Sequence, residues 1–178
     1  MPIDTTRLVD GAVRLVILVI ALITAHLLVI AGIVRIARHN RGLGTKILKR
    51  YNALVLPTAG RRISAYAVLR HTGRRSGRIY LTPVGAYQFG DGFVMGLTYG
   101  PTVDWCRNVL ASDHAVLRWR GKDYAVERPE LIRLDQDVLR AFPLPFRPIL
   151  ARELSQCLWL HRANQAPLTG PPFTGCDT

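Results

Sequence analysis

The sequence predicts an α+β domain built on a small antiparallel sheet or barrel with flanking helices, preceded by one N-terminal transmembrane helix. Three observations lead there. Residues 15–34 carry no charge. Between Ile63 and Glu127, β-compatible runs alternate with tight turns such as Gly90-Asp91-Gly92 and Gly121-Lys122, the spacing of an antiparallel sheet. After Pro129 the apolar positions recur at helical spacing.

Leu15 to Val34 contains fourteen Leu, Ile or Val in twenty residues. At about 1.5 Å per residue such a helix spans about 30 Å, the thickness of a bilayer core. At about −0.4 kcal/mol per aliphatic residue, insertion gains about −6 kcal/mol. A signal peptide has a shorter apolar core and a small-residue cleavage site, whereas Arg35, Arg38 and Arg41 follow this run directly. His26 lies mid-span and is read as a neutral ring facing a partner helix or simply tolerated.

The net charge of +12 is concentrated. Twelve Lys or Arg and no Asp or Glu occur from Arg35 to Arg78, and the other twelve basic residues match the twelve acidic ones. Six of the basic residues fall between Arg35 and Arg50. Positive charge on that side orients the chain with its N-terminus outside and its domain in the cytoplasm. The same charges call for an anionic partner, here lipid headgroups or phosphates on a ligand. Regular aromatic interleaving is missing, so nucleic acid is not expected.

The resulting division is an N-terminal tail at 1–14 and the membrane span at 15–34. A basic juxtamembrane linker with an amphipathic helix follows at 35–60, that helix running from Thr45 to Leu54. The barrel domain occupies 61–128, C-terminal helices 129–162, and a disordered tail 163–178. Within the barrel, strands are expected at Ile63–Arg70, Ile79–Gln88, Phe93–Thr98, Ala115–Trp119 and Tyr124–Glu127. A helix is expected at Val103–Leu110, with Asp104 as N-cap or first-turn residue. Helices are expected again at Leu131–Ala141 and Ile149–His161. Cys106, Cys157 and Cys176 are odd in number and widely spaced, which indicates neither a zinc site nor a disulfide framework.

The segment richest in chemistry is Thr72-Gly73-Arg74-Arg75-Ser76-Gly77-Arg78, between two strands. Two glycines allow close approach of a ligand, and consecutive turn amides can converge on one anion. Hydroxyls and three guanidinium forks suit phosphate or carboxylate. The alternative is a solvated basic hairpin. P-loop spacing, GxSxG, HExxH and GxGxxG are all absent. An enzyme built on this chain therefore relies on a cofactor. His71 and His114 are isolated in the sequence and read as structural, and no metal site is expected.

His71-Thr72-Gly73-Arg74-Arg75-Ser76-Gly77-Arg78, then Thr82-Pro83, Asp104-Trp105 with Asn108, and Trp119-Arg120-Gly121 together resemble the deazaflavin-dependent nitroreductase family. These are coenzyme F-420-dependent oxidoreductases of actinobacteria. The resemblance covers Tyr51 to Glu127. It implies a split β-barrel of the flavin-oxidase type. It implies that Thr72, Gly73, Arg74, Arg75, Ser76, Gly77 and Arg78 bind the cofactor's phosphate and acidic tail. Thr82 and Pro83 would run along the deazaflavin, and Trp105 and Asn108 would line the same site. The implied reaction is hydride transfer to a quinone, a nitroaromatic or a similar electron-poor acceptor, which makes the chain a quinone reductase or nitroreductase. Tyr80 and Tyr99 stand where the best-known members carry a basic residue. Arg78 can supply the first charge, and Tyr99 can stack on the ring or donate a proton. Tyr80 and Tyr99 are thus the catalytic candidates, with Tyr87 beside them on the acceptor side. An FMN-binding oxidoreductase on a similar barrel, or a non-catalytic membrane-associated ligand carrier, are the alternatives. A dimer is compatible with the sequence.

Overall fold

The computed structural model describes residues 5–39 and 41–163. The chain divides into two compact units, Met1–Leu48 and Lys49–Thr178.

In the first unit, α1 is one continuous helix, Thr5–His39. It takes in the apolar run expected to cross a membrane, and Leu15, Val16, Ile17, Leu18, Leu22 and Leu28 are exposed on it. Among the described residues, however, no helix is long and apolar enough to cross a membrane. The side chain of His26 and residues 164–178 of the tail expected to be disordered lie outside the described residues, while the Ala163 amide donates to the Ala125 carbonyl at 3.0 Å. The amphipathic helix is present as α2, Arg41–Val55.

The second unit holds seven strands: β1 Ala67–Thr72, β2 Ile79–Val84, β3 Ala86–Phe89, β4 Gly92–Gly96, β5 His114–Trp119, β6 Lys122–Arg133 and β7 Gln156–Arg162. Every pairing is antiparallel, and the spatial order is β2-β1-β5-β6-β7-β4-β3. The two edge strands, β2 and β3, are joined by Gly85 alone. Seven strands laid flat would separate those edges by about 29 Å, at about 4.8 Å per strand. The step from Val84 to Ala86 reaches at most about 7 Å. The sheet must therefore curl until its edges meet at Gly85, which makes it a barrel. No ladder joins β2 to β3 among the described residues, so the barrel is split along that seam. Trp119 on β5 braces the closure by donating its indole N–H to the Ala86 carbonyl at 3.1 Å.

Side chains alternate across this wall. Phe93 and Met95 of β4 and Leu158 and Leu160 of β7 point to one fully buried cluster with Leu69, Val109 and Leu117. Val94 and Cys157, one residue out of phase, join Val138 and Phe142 in a second cluster on the other face. Helix α3, Asp104–Ser112, puts Cys106 and Val109 into the first cluster. Helix α4, Gln136–Arg140, is capped by the Asp135 carboxylate, which accepts from the Val138 amide, and it supplies Val138 to the second.

Several sequence expectations change. The first strand begins at Ala67, because residues 60–66 close a turn through the Gly60 amide and the Tyr66 carbonyl at 2.7 Å. The expected Ile79–Gln88 strand is broken at Gly85 into β2 and β3. The C-terminal helices expected over 129–162 are shortened and flanked by sheet at both ends of that range. β6 runs through Pro129 to Arg133, and β7 takes the C-terminal part of the expected Ile149–His161 helix, from Gln156 onward. Only α4 and α5, Arg147–Glu153, are α-helical there, with a 3-10 turn at Leu144–Phe146. Pro129 is tolerated because it follows a bulge: Arg128 has φ 48°, and the β6–β7 register shifts between Glu127 and Glu130. β7 escaped the sequence pattern because both of its faces are covered. Cys157, Leu158, Leu160 and His161 are all buried, so the period-2 signal of a half-exposed strand is absent.

Candidate functional site

The basic segment is a closed turn between β1 and β2. The Gly73 amide donates to the Arg78 carbonyl at 2.8 Å, and the Gly77 amide to the Gly73 carbonyl at 2.8 Å. Gly77 sits at φ +65°, which L side chains rarely adopt, with open space around it. Gly73 is required for packing: a Cβ there would lie 2.5 Å from Tyr80 Cε2 and 2.6 Å from Ser76 Oγ.

Asn108, buried on α3, locks this turn in place. Its Oδ1 accepts from the Arg74 amide at 3.2 Å and from Arg74 Nη1 at 2.7 Å. The amide orientation is thereby fixed, and Nδ2 donates to His71 Nδ1 at 3.3 Å. His71 must then carry its proton on Nε2, which faces Thr82 Oγ1 at 3.1 Å. Burial holds His71 down to about 4, so the neutral ring that this network needs is the one present at neutral pH. The Tyr80 ring stacks on His71 with centroids 5.9 Å apart. Its hydroxyl lies 3.2 Å from Ser76 Oγ, which also accepts from the Arg78 amide. One connected network thus joins α3, β1, β2 and the turn.

The three guanidinium groups of the turn are not equivalent. Arg74 is spent internally: besides Asn108 it bonds the Asp104 carbonyl at 3.4 Å and Asp104 Oδ1 at 3.0 Å. Arg75 and Arg78 are exposed, and neither makes an ion pair among the described residues. They are the forks available to an anion.

The remaining expected site residues separate into groups. Thr72 ends β1 and is exposed, Thr82 takes part in the network, and Pro83 pairs with Val68 on the edge strand β2. Trp105 packs against the barrel core. Asp104 is the first residue of α3, while Val103 occupies the N-cap. No hydrogen bond or ring contact joins Tyr99 to the turn among the described residues. It belongs to a second polar group that the sequence reading missed. In that group the Tyr51 and Tyr66 hydroxyls meet at 2.8 Å. Tyr66 is pushed far above its ordinary value by burial first, then by Tyr51, with Tyr87 and Tyr99 close enough to add to it. Tyr99 and Tyr87 are likewise raised by burial. Tyr80 and Tyr99, paired as catalytic candidates, therefore sit in different networks. The sequence signal for the second group was weak: Tyr51 and Tyr66 come from a helix and a turn with no shared spacing.

No family model matches the chain, and no curated protein matches it. Solved structures match at low identity. One, described as an F420-H2 dependent reductase (FDR-A), is 15% identical over 55% of this chain and 94% of its own, with a TM-score of 0.39. Another, described as a domain-swapped dimer, is 14% identical over 55% of this chain and 80% of its own, at 0.39. A third is 14% identical over 61% of this chain and 78% of its own, at 0.44. At these TM-scores the likenesses carry no argument, and the functional reading rests on the chain's own residues.

Proposed function

We propose that the Lys49–Thr178 unit is an oxidoreductase domain that holds a deazaflavin cofactor of the coenzyme F-420 type on the turn at 73–78 and reduces an electron-poor aromatic acceptor such as a quinone or nitroaromatic. The observation that carries this reading is the division of labour among the arginines. Arg74 and Asn108 brace the turn, and the forks of Arg75 and Arg78 are left exposed, without an acidic partner among the described residues. A fixed turn with exposed guanidinium groups and a glycine at positive φ suits a phosphate or an acidic tail. The deazaflavin supplies hydride chemistry when bound. The chain's own residues bind its anionic end, hold Thr82 in register through His71 Nε2, and keep the Tyr80 ring parallel to His71.

The reading also places the domain at a membrane. Its support is the uncharged run at 15–34 and the six basic residues from Arg35 to Arg50, which suit anionic headgroups and put the domain on the cytoplasmic side. Membrane fractionation of the full chain, followed by protease protection in sealed vesicles, tests it. Recovery in the soluble fraction, or digestion of the domain from the outer face, overturns it.

Titration of the full chain with oxidised F-420 and with FMN tests the cofactor. Micromolar F-420 binding that Arg75→Ala plus Arg78→Ala weakens by more than about tenfold is expected, each lost charge-assisted contact contributing about 1.5–3 kcal/mol. Menadione turnover with reduced F-420 is expected to follow. Binding of FMN alone would replace the cofactor assignment, and F-420 binding without turnover on any acceptor would make the chain a carrier.

A further inference from the structure

We propose that Asp104 is a charge gate on the basic turn: its carboxylate holds the place on the Arg74 fork that a soluble polyanion takes, so a ligand with a single negative charge does not displace it. The inference rests on the reading of the turn as an anion cradle, and it adds a residue that sets which anions enter.

The two side-chain partners of the Arg74 guanidinium differ in kind. Nη1 is held by Asn108 Oδ1 at 2.7 Å, inside the network that fixes His71. Nη2 meets one oxygen of Asp104 at 3.0 Å. The Arg74 side chain is 18% exposed and that of Asp104 is 85% exposed. One partner is therefore fixed and nearly buried, and the other is a monodentate carboxylate standing in water. An exposed pair of this kind is weak, because water screens it and the side chain loses freedom to make it. Asp104 can swing away without disturbing Asn108.

A carboxylate ligand arriving at Nη2 exchanges one carboxylate for another. It gains nothing there, and it gives up its own translational freedom. A ligand with two or more charged phosphoryl oxygens has a second charge to offer Arg75 or Arg78, exposed neighbours in the same closed turn with no acidic partner among the described residues. Only that second contact makes displacement favourable. Asp104 thus raises the charge that a ligand must bring and keeps small monoanions out.

Calorimetric titration of the full chain with inorganic pyrophosphate and with acetate tests this. Wild-type protein should bind pyrophosphate and not acetate. Asp104→Asn should tighten pyrophosphate binding by about twofold, the value of one exposed ion pair, and should make acetate binding measurable. Asp104→Ala should give the same gain, and its melting curve checks that α3 is intact. Asp123→Asn removes an equal charge at the distant Arg118–Asp123 pair and should change neither titration. Equal gains from Asp123→Asn and Asp104→Asn would reduce the effect to net charge and overturn the gate. Wild-type binding of pyrophosphate that Asp104→Asn leaves unchanged or weakens would overturn the gate while the cradle stands. No pyrophosphate binding by any variant would overturn the cradle and the gate together. Cardiolipin vesicles run beside pyrophosphate separate the sources of phosphate: a gain seen only with vesicles overturns the soluble ligand.

Discussion

His71 on β1 and His161 on β7 are both buried, at 4% and 5% exposure, yet their rings meet opposite partners. His71 faces an amide donor and a hydroxyl, Asn108 at 3.3 Å and Thr82 at 3.1 Å. His161 faces two carboxylates, Asp91 at 2.8 Å from Nδ1 and Glu130 at 3.2 Å from Nε2, while Arg128 closes on Asp91 at 3.5 Å. Carboxylates only accept, so a ring nitrogen that bonds one does so as a donor. The Asn108 amide donates, so His71 must accept at Nδ1. One network places a neutral ring beneath a cationic turn. The other is an ionic clasp between the β3–β4 turn, the β6 bulge and β7. The same residue type, equally buried, is given its role by what faces it.

The largest expected effect is a pH dependence at the neutral histidine. Burial lowers His71 to about 4 from its ordinary 6.5. The unfolded chain therefore binds the extra proton at a higher pH than the folded chain does. Stability from this site is full above pH 6.5 and is lost as pH falls toward 4, by about 3 kcal/mol in total. Denaturant midpoints of the full chain between pH 7 and 5 should fall for wild type and fall much less for His71→Gln. Parallel profiles for the two proteins would remove His71 as the titrating group.

Next in size is Asn108→Ala, which strands the Arg74 amide and His71 Nδ1 and leaves Arg74 Nη1 only its longer bond to the Asp104 carbonyl at 3.4 Å. Leaving buried donors and acceptors unpaired should cost about 2–3 kcal/mol, read as a lower denaturant midpoint at pH 7. At the other histidine, His161→Gln should cost less, about 1 kcal/mol. The Asp91 and Glu130 side chains it abandons are 54% and 52% exposed, and water replaces the lost donor. A His161→Gln loss as large as that of Asn108→Ala would erase the distinction between the two networks.

The sequence carried one of these networks better than the other. The turn was legible because Gly73 and Gly77 flank two arginines and a serine, with Arg78 next in the chain, a local pattern with a local cause. The start of α3 was legible for the same reason, whereas Asn108 entered only as a cofactor-lining residue implied by the resemblance. The internal commitment of Arg74 was not: its partners lie 30 and 34 residues away, and no local rule distinguishes it from Arg75. The ionic clasp was invisible because Asp91, Glu130 and His161 meet only after β6 and β7 pair, and β7 was read as helix. Its apolar run, Cys157-Leu158-Trp159-Leu160, lies in the wall between two covered faces, where alternation disappears. Barrel closure at Gly85 likewise needs the strand order, which depends on pairings far apart in the chain.

The smallest expected effect on stability is at the gate. Asp104→Asn removes an ion pair whose carboxylate is 85% exposed, and it leaves the Arg74–Asn108 bond in place. The denaturant midpoint at pH 7 should move by less than about 0.5 kcal/mol. A loss near that of Asn108→Ala would mean that Asp104 holds the turn together, and a structural strut cannot also be displaced by a ligand. Stability and anion affinity are thus expected to move independently along one short path. Asn108 governs whether the turn exists, and Asp104, bonded to the same guanidinium 0.3 Å farther out, governs only what the turn admits.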